Sequence, residues 1–377
     1  MKNTTVVYSN LLKSLAVIAV LYGFLISIGL IGAAFKSLGK NYAETLIQSG
    51  AGPFIGLFIG ILATSVIQSS STTTSLVVGM VAGGTFGTDT ELAVRMAVPF
   101  IMGANIGTSI TNTLVSLGHI VNKVEFRRAF AASIIHDFFN ILTVLVLFPL
   151  ELGFGIISRS ANWLTNFLIG SQSISFHSPL KTITKPVVHG IRDVLAGWFP
   201  DAYGWILVLV GLAALFFSLR LLTQLIRSLV LEKLEAFFDR TIFKTGLRAI
   251  IFGIVLTILV QSSSITTSLI VPLAGAGVLS LEQIFPYTLG ANIGTTVTAL
   301  LASLVTGTHA PLAVALSHLL FNIYGILLIY PLAFTRRIPL HLAGWFARQS
   351  TEHRILPFLY ILTIFFILPL SLIFIMR

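Results

Sequence analysis

One polar phrase occurs twice in this otherwise apolar chain, and that duplication constrains the fold more than any other feature. Gln68-Ser69-Ser70-Ser71 returns as Gln261-Ser262-Ser263-Ser264, and Gly103-Ala104-Asn105-Ile106-Gly107-Thr108 returns unchanged as Gly290-Ala291-Asn292-Ile293-Gly294-Thr295. A third echo pairs His136 and Asn140 with His318 and Asn322, and Pro149-Leu150 and Pro331-Leu332 close the two copies. The order is kept, at separations of 193, 187 and 182 residues, so the chain is an internal repeat with short insertions. Copy one covers about 52–151 and copy two about 246–334.

Composition says where such a repeat lives. Hydrophobic residues make up 55% of the 377 and charged residues only 10%; an ordinary soluble domain is about 25% charged. With a mean hydropathy of +0.96, the chain reads as an all-α, polytopic membrane protein. There is no cysteine, which excludes disulfides, thiolate metal sites and Cys nucleophiles. The net charge of +10 is scattered between apolar runs, so it anchors loops and does not form a nucleic-acid face. The run 15–34 follows Lys2 and Lys13 and is too long for a signal-peptide core, so it is read as a spanning helix.

The apolar runs flanking each Gln-Ser-Ser-Ser phrase are short. Residues 54–67 reach about 21 Å as a helix, against roughly 30 Å of hydrocarbon. Two half-length runs meeting at a polar tip predict a re-entrant helical hairpin, at about 52–84 and again at about 246–278. The Gly-Ala-Asn-Ile-Gly phrases interrupt the longer runs 92–117 and 284–304, which predicts broken helices in both copies. Full spans are expected at 15–34, 92–117 and 129–150, then at 205–231, 284–304 and 312–334. Three spans per half is odd, so the copies should be inverted in topology. Charge agrees with this. The loop 121–128 carries Lys123, Arg127 and Arg128, whereas its counterpart 305–311 carries no Lys or Arg, placing the first inside and the second outside. Segment 232–248 and the loop around Arg336, Arg337, Arg348 and Arg354 also fall inside. This gives a first transmembrane repeat (15–151), an interfacial connector on the outer side (152–204), a second transmembrane repeat (205–334), and a C-terminal loop and helix (335–377) whose last span is 355–376. Glu44, Arg95 and Glu282 read as boundary anchors.

The polar residues inside these runs are the candidates for chemistry. Ser69, Ser70, Ser71, Ser262, Ser263 and Ser264 give two hydroxyl clusters at half-helix N-termini, a donor-rich setting for an oxyanion without a Lys or Arg; the bland alternative is helix-packing glue. Gln68, Gln261, Asn105, Asn292, Thr108, Thr295 and Thr298 offer hard oxygen ligands of the kind Na⁺ takes, not those of a transition metal. For the two asparagines the alternative is a helix cap. Asp137 is the carboxylate inside a span, and an intramembrane acid is functional by default. It reads as a cation ligand or charge-coupling group, against a structural pair with His136 or an interior Arg. Its counterpart is Leu319. His136 and His318 read as buried neutral hydrogen-bonding groups, with Asn140 and Asn322 one turn further on.

At these residues the chain resembles the type II sodium-dependent phosphate cotransporter family, and a compact bacterial-type member of it. The likeness rests on the paired Gln-Ser-Ser-Ser phrases, on 102–112 (MGANIGTSITN), 125–140 (EFRRAFAASIIHDFFN) and 289–296 (LGANIGTT), and on 317–332. The resemblance implies Na⁺-coupled uptake of inorganic phosphate, mainly HPO₄²⁻, by alternating access at a cell membrane. It implies phosphate at the two serine clusters and sodium at Asn140, Thr295, Thr298 and Gln261. Asp137 matches the electrogenic type, with three Na⁺ per phosphate. The sequence departs from the family pattern at His119, Asn122 and Ala291, where sodium-site residues are expected. Family termini are both cytoplasmic, against the odd span count here.

No enzyme is expected. An intramembrane serine hydrolase would need only a serine and a histidine, but G-x-S-x-G is absent and duplicated sites suit transport better. An uncoupled ion channel, or a symporter for sulfate or a carboxylate, would be built from the same kinds of residue. The partners expected are inorganic phosphate, Na⁺ and the lipid bilayer, with no other cofactor and no nucleic acid. A lipid-facing surface this large could also host a homodimer.

Overall fold

The computed structural model describes residues 2–38, 52–87, 89–170, 179–237 and 242–376. Glu44 and Arg240 lie outside them. The described residues are α-helical with no strand, and seven helices are long and apolar enough to cross a membrane. The protein is a multi-pass membrane protein.

Helix α1 (Lys2–Leu38) is followed by a hairpin of α2 (Pro53–Ile67) and α3 (Ser70–Ala82). Its arms are 15 and 13 residues long, too short to span. Next come α4 (Thr90–Gly107), α5 (Ile110–Leu117) and α6 (Lys123–Phe154). The connector holds α7 (Ile156–Ile169) and α8 (Pro179–Trp198). After α9 (Tyr203–Phe237) come the hairpin of α10 (Gly246–Val260) and α11 (Ser263–Gly275), then α12 (Leu281–Thr306) and α13 (His309–Ile329), which carry the second copy of the duplicated phrases. Helix α14 (Ala333–Glu352) leads to the last span, in which α15 (Leu356–Leu362) and α16 (Leu368–Ile375) flank a π turn at Thr363–Ile367.

The two hairpin tips have the same backbone. Gln68 (φ 56°, ψ 31°) and Gln261 (φ 56°, ψ 24°) are left-handed, and Ser69 and Ser262 are extended N-caps that accept from Thr72 N–H at 3.2 Å and Ile265 N–H at 3.4 Å. A left-handed glutamine is uncommon and costs about 1 kcal/mol or more, so the surrounding structure must hold it.

Glycine builds the scaffold under each tip. Arm α2 packs on α4 and arm α10 on α12. A Cβ on Gly103 would run into the Leu57 carbonyl, and one on Gly290 into the Ile250 carbonyl. Gly60 and Gly253 meet Phe100 and Tyr287 carbonyls in the same way. These are small-residue helix contacts of the G-x-x-x-G kind. The glycines of the Gly-Ala-Asn-Ile-Gly phrase therefore serve close packing, and the phrase is helical in both copies. This corrects the expected breaks. The first copy does break, one step later at Thr108–Ser109; the second runs unbroken from Leu281 to Thr306. At the break the Thr108 carbonyl accepts from Ser264 Oγ at 3.4 Å, across from the other hairpin. A side chain entering the ladder is a recognised cause of such an interruption.

The return arms cross over. Arm α3 packs on α12 and α13 of the second copy, while α11 packs on α5 and α6 of the first. Helix α1 packs along α9.

The basic segment after the second copy is not a loop. Span α13 ends at Ile329, short of the expected 334, and α14 forms instead. It buries Pro339, Ala343, Ala347 and Ser350, and packs on α6 in the cluster with Phe126 and Phe130. The small residues at i and i+4 let it lie close to its neighbour. In the connector, Gly155 (φ 62°) turns the chain, and the buried Glu151 carboxylate accepts Ile157 N–H at 2.7 Å, capping α7.

Candidate functional site

Both tips open on one cavity of about 460 Å³, lined by Gln68, Ser69, Ser71, Gln261, Ser262 and Ser264 among others. Four of these are hydroxyls at the N-termini of α3 and α11, whose free N–H groups favour an anion. Ser70 and Ser263 are buried in the first turns and are not part of the lining.

Arg220 also lines the cavity, with Gln224 one turn beyond it on α9. This overturns the expectation of an oxyanion pocket without a fixed cation. Arg220 is exposed and has no ion pair among the described residues. The signal is present in the sequence: the apolar run 205–231 contains Arg220 and Arg227, and an arginine inside a span is the kind of residue that faces a polar hollow.

Behind the tips is a buried polar network in which several predicted ligands meet. Thr298 Oγ1 donates to Gln261 Oε1 at 3.0 Å, while Gln261 Nε2 donates to the Ile258 carbonyl at 2.6 Å. His136 Nε2 is hydrogen-bonded to Asn292 Oδ1, Asn292 Nδ2 donates to Asn140 Oδ1 at 2.9 Å, and Asn140 Nδ2 donates to the Asn105 carbonyl at 2.7 Å. Asn105, Asn140, Asn292 and His136 thus form one chain across the two copies, all fully or almost fully buried. The Asn140 and Asn292 side chains bridge helices, whereas the Asn105 side chain donates to Ile101 O at 2.9 Å in its own helix and joins the chain only through its main-chain carbonyl. The other candidates stay within their own helices: Thr108 Oγ1 donates to Ala104 O at 2.8 Å, Thr295 Oγ1 to Ala291 O at 3.0 Å, and Asn322 Nδ2 to His318 O at 3.0 Å.

Asp137 is fully buried, and neither His136 nor an arginine pairs with it. Oδ2 accepts from Tyr360 Oη at 3.0 Å and from Thr113 Oγ1 at 3.5 Å, while Oδ1 has no partner among the described residues. A buried carboxylate oxygen left open to further coordination is what a cation ligand needs. Asn112 is a second residue that sequence reasoning missed. Its amide donates to Thr267 Oγ1 at 2.7 Å and accepts from Ser268 Oγ at 2.9 Å, tying α5 to α11. Tyr360 and Asn112 had no local signal, because their partners lie 223 and about 155 residues away.

Donor-rich tips over a hollow, with amide, hydroxyl and carboxylate oxygens behind them, suit a small anion accompanied by hard cations. Comparison with known proteins agrees. The profile of the Na⁺/Pi-cotransporter family matches residues 24–165 and 204–329. Sodium-dependent phosphate transport protein 2A of Rattus norvegicus is 34% identical over 96% of this chain and 67% of its own length. Sodium-dependent phosphate transport protein 2B of Homo sapiens is 33% identical over 93% of this chain and 63% of its own length. The chain therefore spans about two thirds of the length of such relatives. No solved structure matches. By its profile match and these relatives, the chain belongs to the Na⁺/Pi-cotransporter family, a family of transporters and not of enzymes.

Proposed function

We propose that this protein is a secondary active symporter that imports inorganic phosphate, mainly as HPO₄²⁻, on the Na⁺ gradient. Three Na⁺ accompany each phosphate, so one net positive charge enters per cycle; at about 100 mV this supplies roughly 2.3 kcal/mol in addition to the sodium gradient. The observation that carries the reading is the convergence of both serine tips on one cavity. Phosphate lies between the tips, its oxygens taking the serine hydroxyls and the free N–H groups of α3 and α11. Sodium occupies oxygens from the set Gln68, Gln261, Asn105, Asn292, Thr108, Thr295, Thr298, Asn140, Asn322 and Asp137. Neither ligand fills its site well alone, because each neutralises the other in a low-dielectric setting, and coupling follows from that mutual stabilisation.

Alternating access uses the duplication. The copies are inverted, the hairpins enter from opposite faces, and the crossed return arms let each copy move against the other around a fixed centre. Residues 15–151 and 205–334 are the two repeats, joined by 152–204 and followed by 335–377.

The test is uptake of labelled phosphate into proteoliposomes with sodium or potassium outside, with and without excess sulfate. Sodium-dependent accumulation that sulfate does not compete away is expected. Ser71→Ala and Ser264→Ala should each weaken it. Uptake equal in potassium would point to a channel, and full competition by sulfate would change the substrate. Normal phosphate affinity in both serine variants would remove the site assignment.

A further inference from the structure

A second cavity, of about 490 Å³, lies away from the serine tips at the end of the molecule where α6 begins. Arg127 and Arg128 from the first turns of α6 and Arg348 from α14 line it, together with Ser280, the N-cap of α12, and Gly277. No carboxylate lines it, and none of the three arginines has an ion pair among the described residues. The acid nearest in sequence, Glu125, is engaged by His119 at 3.4 Å and Asn122 at 2.8 Å. Gly277 (φ 76°) is the position that admits Arg128: a Cβ there would lie 2.5 Å from its Nη1. Ala131, Ala132 and Ala274 keep the floor small and apolar.

Three unpaired guanidinium groups around one concavity, with no acid in it, form a receptor for a phosphate monoester or free phosphate, since guanidinium forks match phosphate oxygens bidentately. The site is distinct from the proposed transport site, which none of these residues lines. Both arginine-bearing segments are ones the charge pattern assigns to the cytoplasmic side. The cavity also joins parts that differ in role: Ala274 and Gly277 belong to the return end of the second hairpin, while Arg348 sits on α14.

We propose that this arginine pocket is a regulatory anion site that takes a phosphoryl group, either the headgroup of an anionic lipid in the inner leaflet or inorganic phosphate in solution. Occupancy clamps the return end of the second hairpin to α14. A lipid is the natural tenant of a basic pocket between helices on the cytoplasmic side, and free phosphate would make the same site a sensor of accumulated product.

Two arms separate the sources. In the first, purified protein is mixed with phosphatidic acid or phosphatidylcholine and retained lipid is counted by native mass spectrometry. In the second, thermal unfolding is followed in potassium buffer as inorganic phosphate is added, so that sodium-dependent binding at the tips does not contribute. Arg127→Gln with Arg348→Gln should weaken the bound species about 25-fold, about fivefold for each arginine removed near the membrane surface. Arg337→Gln, exposed on α14 but outside the lining, should change nothing. Selective retention of phosphatidic acid, lost in the double variant, establishes the lipid. A phosphate-dependent rise in melting temperature, lost in the double variant, establishes free phosphate. If neither ligand distinguishes wild type from the double variant, or if Arg337→Gln weakens binding equally, the pocket is not a phosphoryl site. Transport failure would affect neither arm, because neither measures uptake.

Discussion

The packing glycines of the duplicated phrase are the most exacting point to test, because the same contact is built twice. An alanine Cβ at position 294 would lie 2.6 Å from Thr257 Cβ and 2.8 Å from the Ile254 carbonyl. At position 107 it would lie 2.7 Å from Thr64 Cβ and 2.8 Å from the Ile61 carbonyl. The obstacles include backbone, so neither rotamer change nor side-chain flexing relieves them. Restoring ordinary contact at about 3.5 Å needs the paired helices to separate by about 0.8 Å. Overpacking of that size costs about 1–3 kcal/mol. The arm that must back away carries the tip, and Gln261 lies one residue past the end of α10. Its 3.0 Å bond from Thr298 does not survive such a shift, which removes about 1 kcal/mol at the cation oxygens, roughly a fivefold factor in affinity. Gly294→Ala and Gly107→Ala should therefore melt several degrees below wild type in detergent, and Gly294→Ala should raise the sodium concentration for half-maximal uptake about fivefold. Gly153→Ala is the control: its Cβ meets nothing within 4 Å, and relief of glycine's chain entropy should stabilise it by about 0.5–1 kcal/mol. If Gly294→Ala melts at or above wild type, the close approach of α10 and α12 is not what holds the tip.

Three further outcomes follow from the site. Arg220→Gln should raise the phosphate KM about three- to tenfold at low ionic strength, with the difference narrowing as salt screens the exposed guanidinium; a salt-independent change, or none, would place Arg220 outside the anion's path. Tyr360→Phe removes the 3.0 Å bond to Asp137 Oδ2. It should raise the sodium KM about tenfold with phosphate KM at saturating sodium unchanged, and an unaltered sodium titration would separate the last span from the cation site. Thr298→Val keeps the side-chain shape but leaves Gln261 Oε1 unpaired, costing about 1–3 kcal/mol; the steepness of uptake against sodium should fall, and a wild-type curve would exclude that pair from coupling.

How much of this was legible in the sequence depended on how far each interaction reaches along the chain. The hairpins were legible because arm length and tip polarity are local, and the left-handed glutamines fall where the apolar runs stop. The serines at the cavity were legible by repetition. The second unbroken helix was not, because glycine within an apolar run signals a break and a close helix contact equally well, and only the partner, Ile250 or Leu57, decides between them. In helix α14 the arginines point to a basic loop by charge, while Ala343 and Ala347, small and four apart, carry the packing signal. Arg220 could have been found from its position inside a span. Tyr360 could not, since nothing near it in the chain points to Asp137.

The copies match in the backbone of their hairpin tips and differ in hydrogen bonding, and on the proposed mechanism that difference is informative. Asn292 Nδ2 donates to Asn140, so its Oδ1 is the acceptor and His136 must donate from Nε2. The equivalent chain would run from His318 through Asn105 to Asn322 and the Asn292 carbonyl. None of it is made. His318 has both ring nitrogens unpartnered among the described residues, Asn105 Nδ2 turns back to Ile101 O at 2.9 Å, and Asn322 Oδ1 is open. The hairpins differ in the same sense: Thr257 and Thr266 share a bond of 2.9 Å, while Thr64, the counterpart of Thr257, has none. Part of this is fixed by sequence, because Tyr287, which donates to Thr266 O at 3.0 Å, is matched by Phe100. The histidine and asparagine sets are chemically identical, however, so residue type does not explain why only one is joined. Two like sets in unlike arrangements are what an inverted repeat must contain when it faces one side, since facing the other exchanges the two conformations. The amide oxygens of Asn140 and Asn292 are engaged in one arrangement and released in the other, which would couple the facing of the transporter to the oxygens a sodium ion needs.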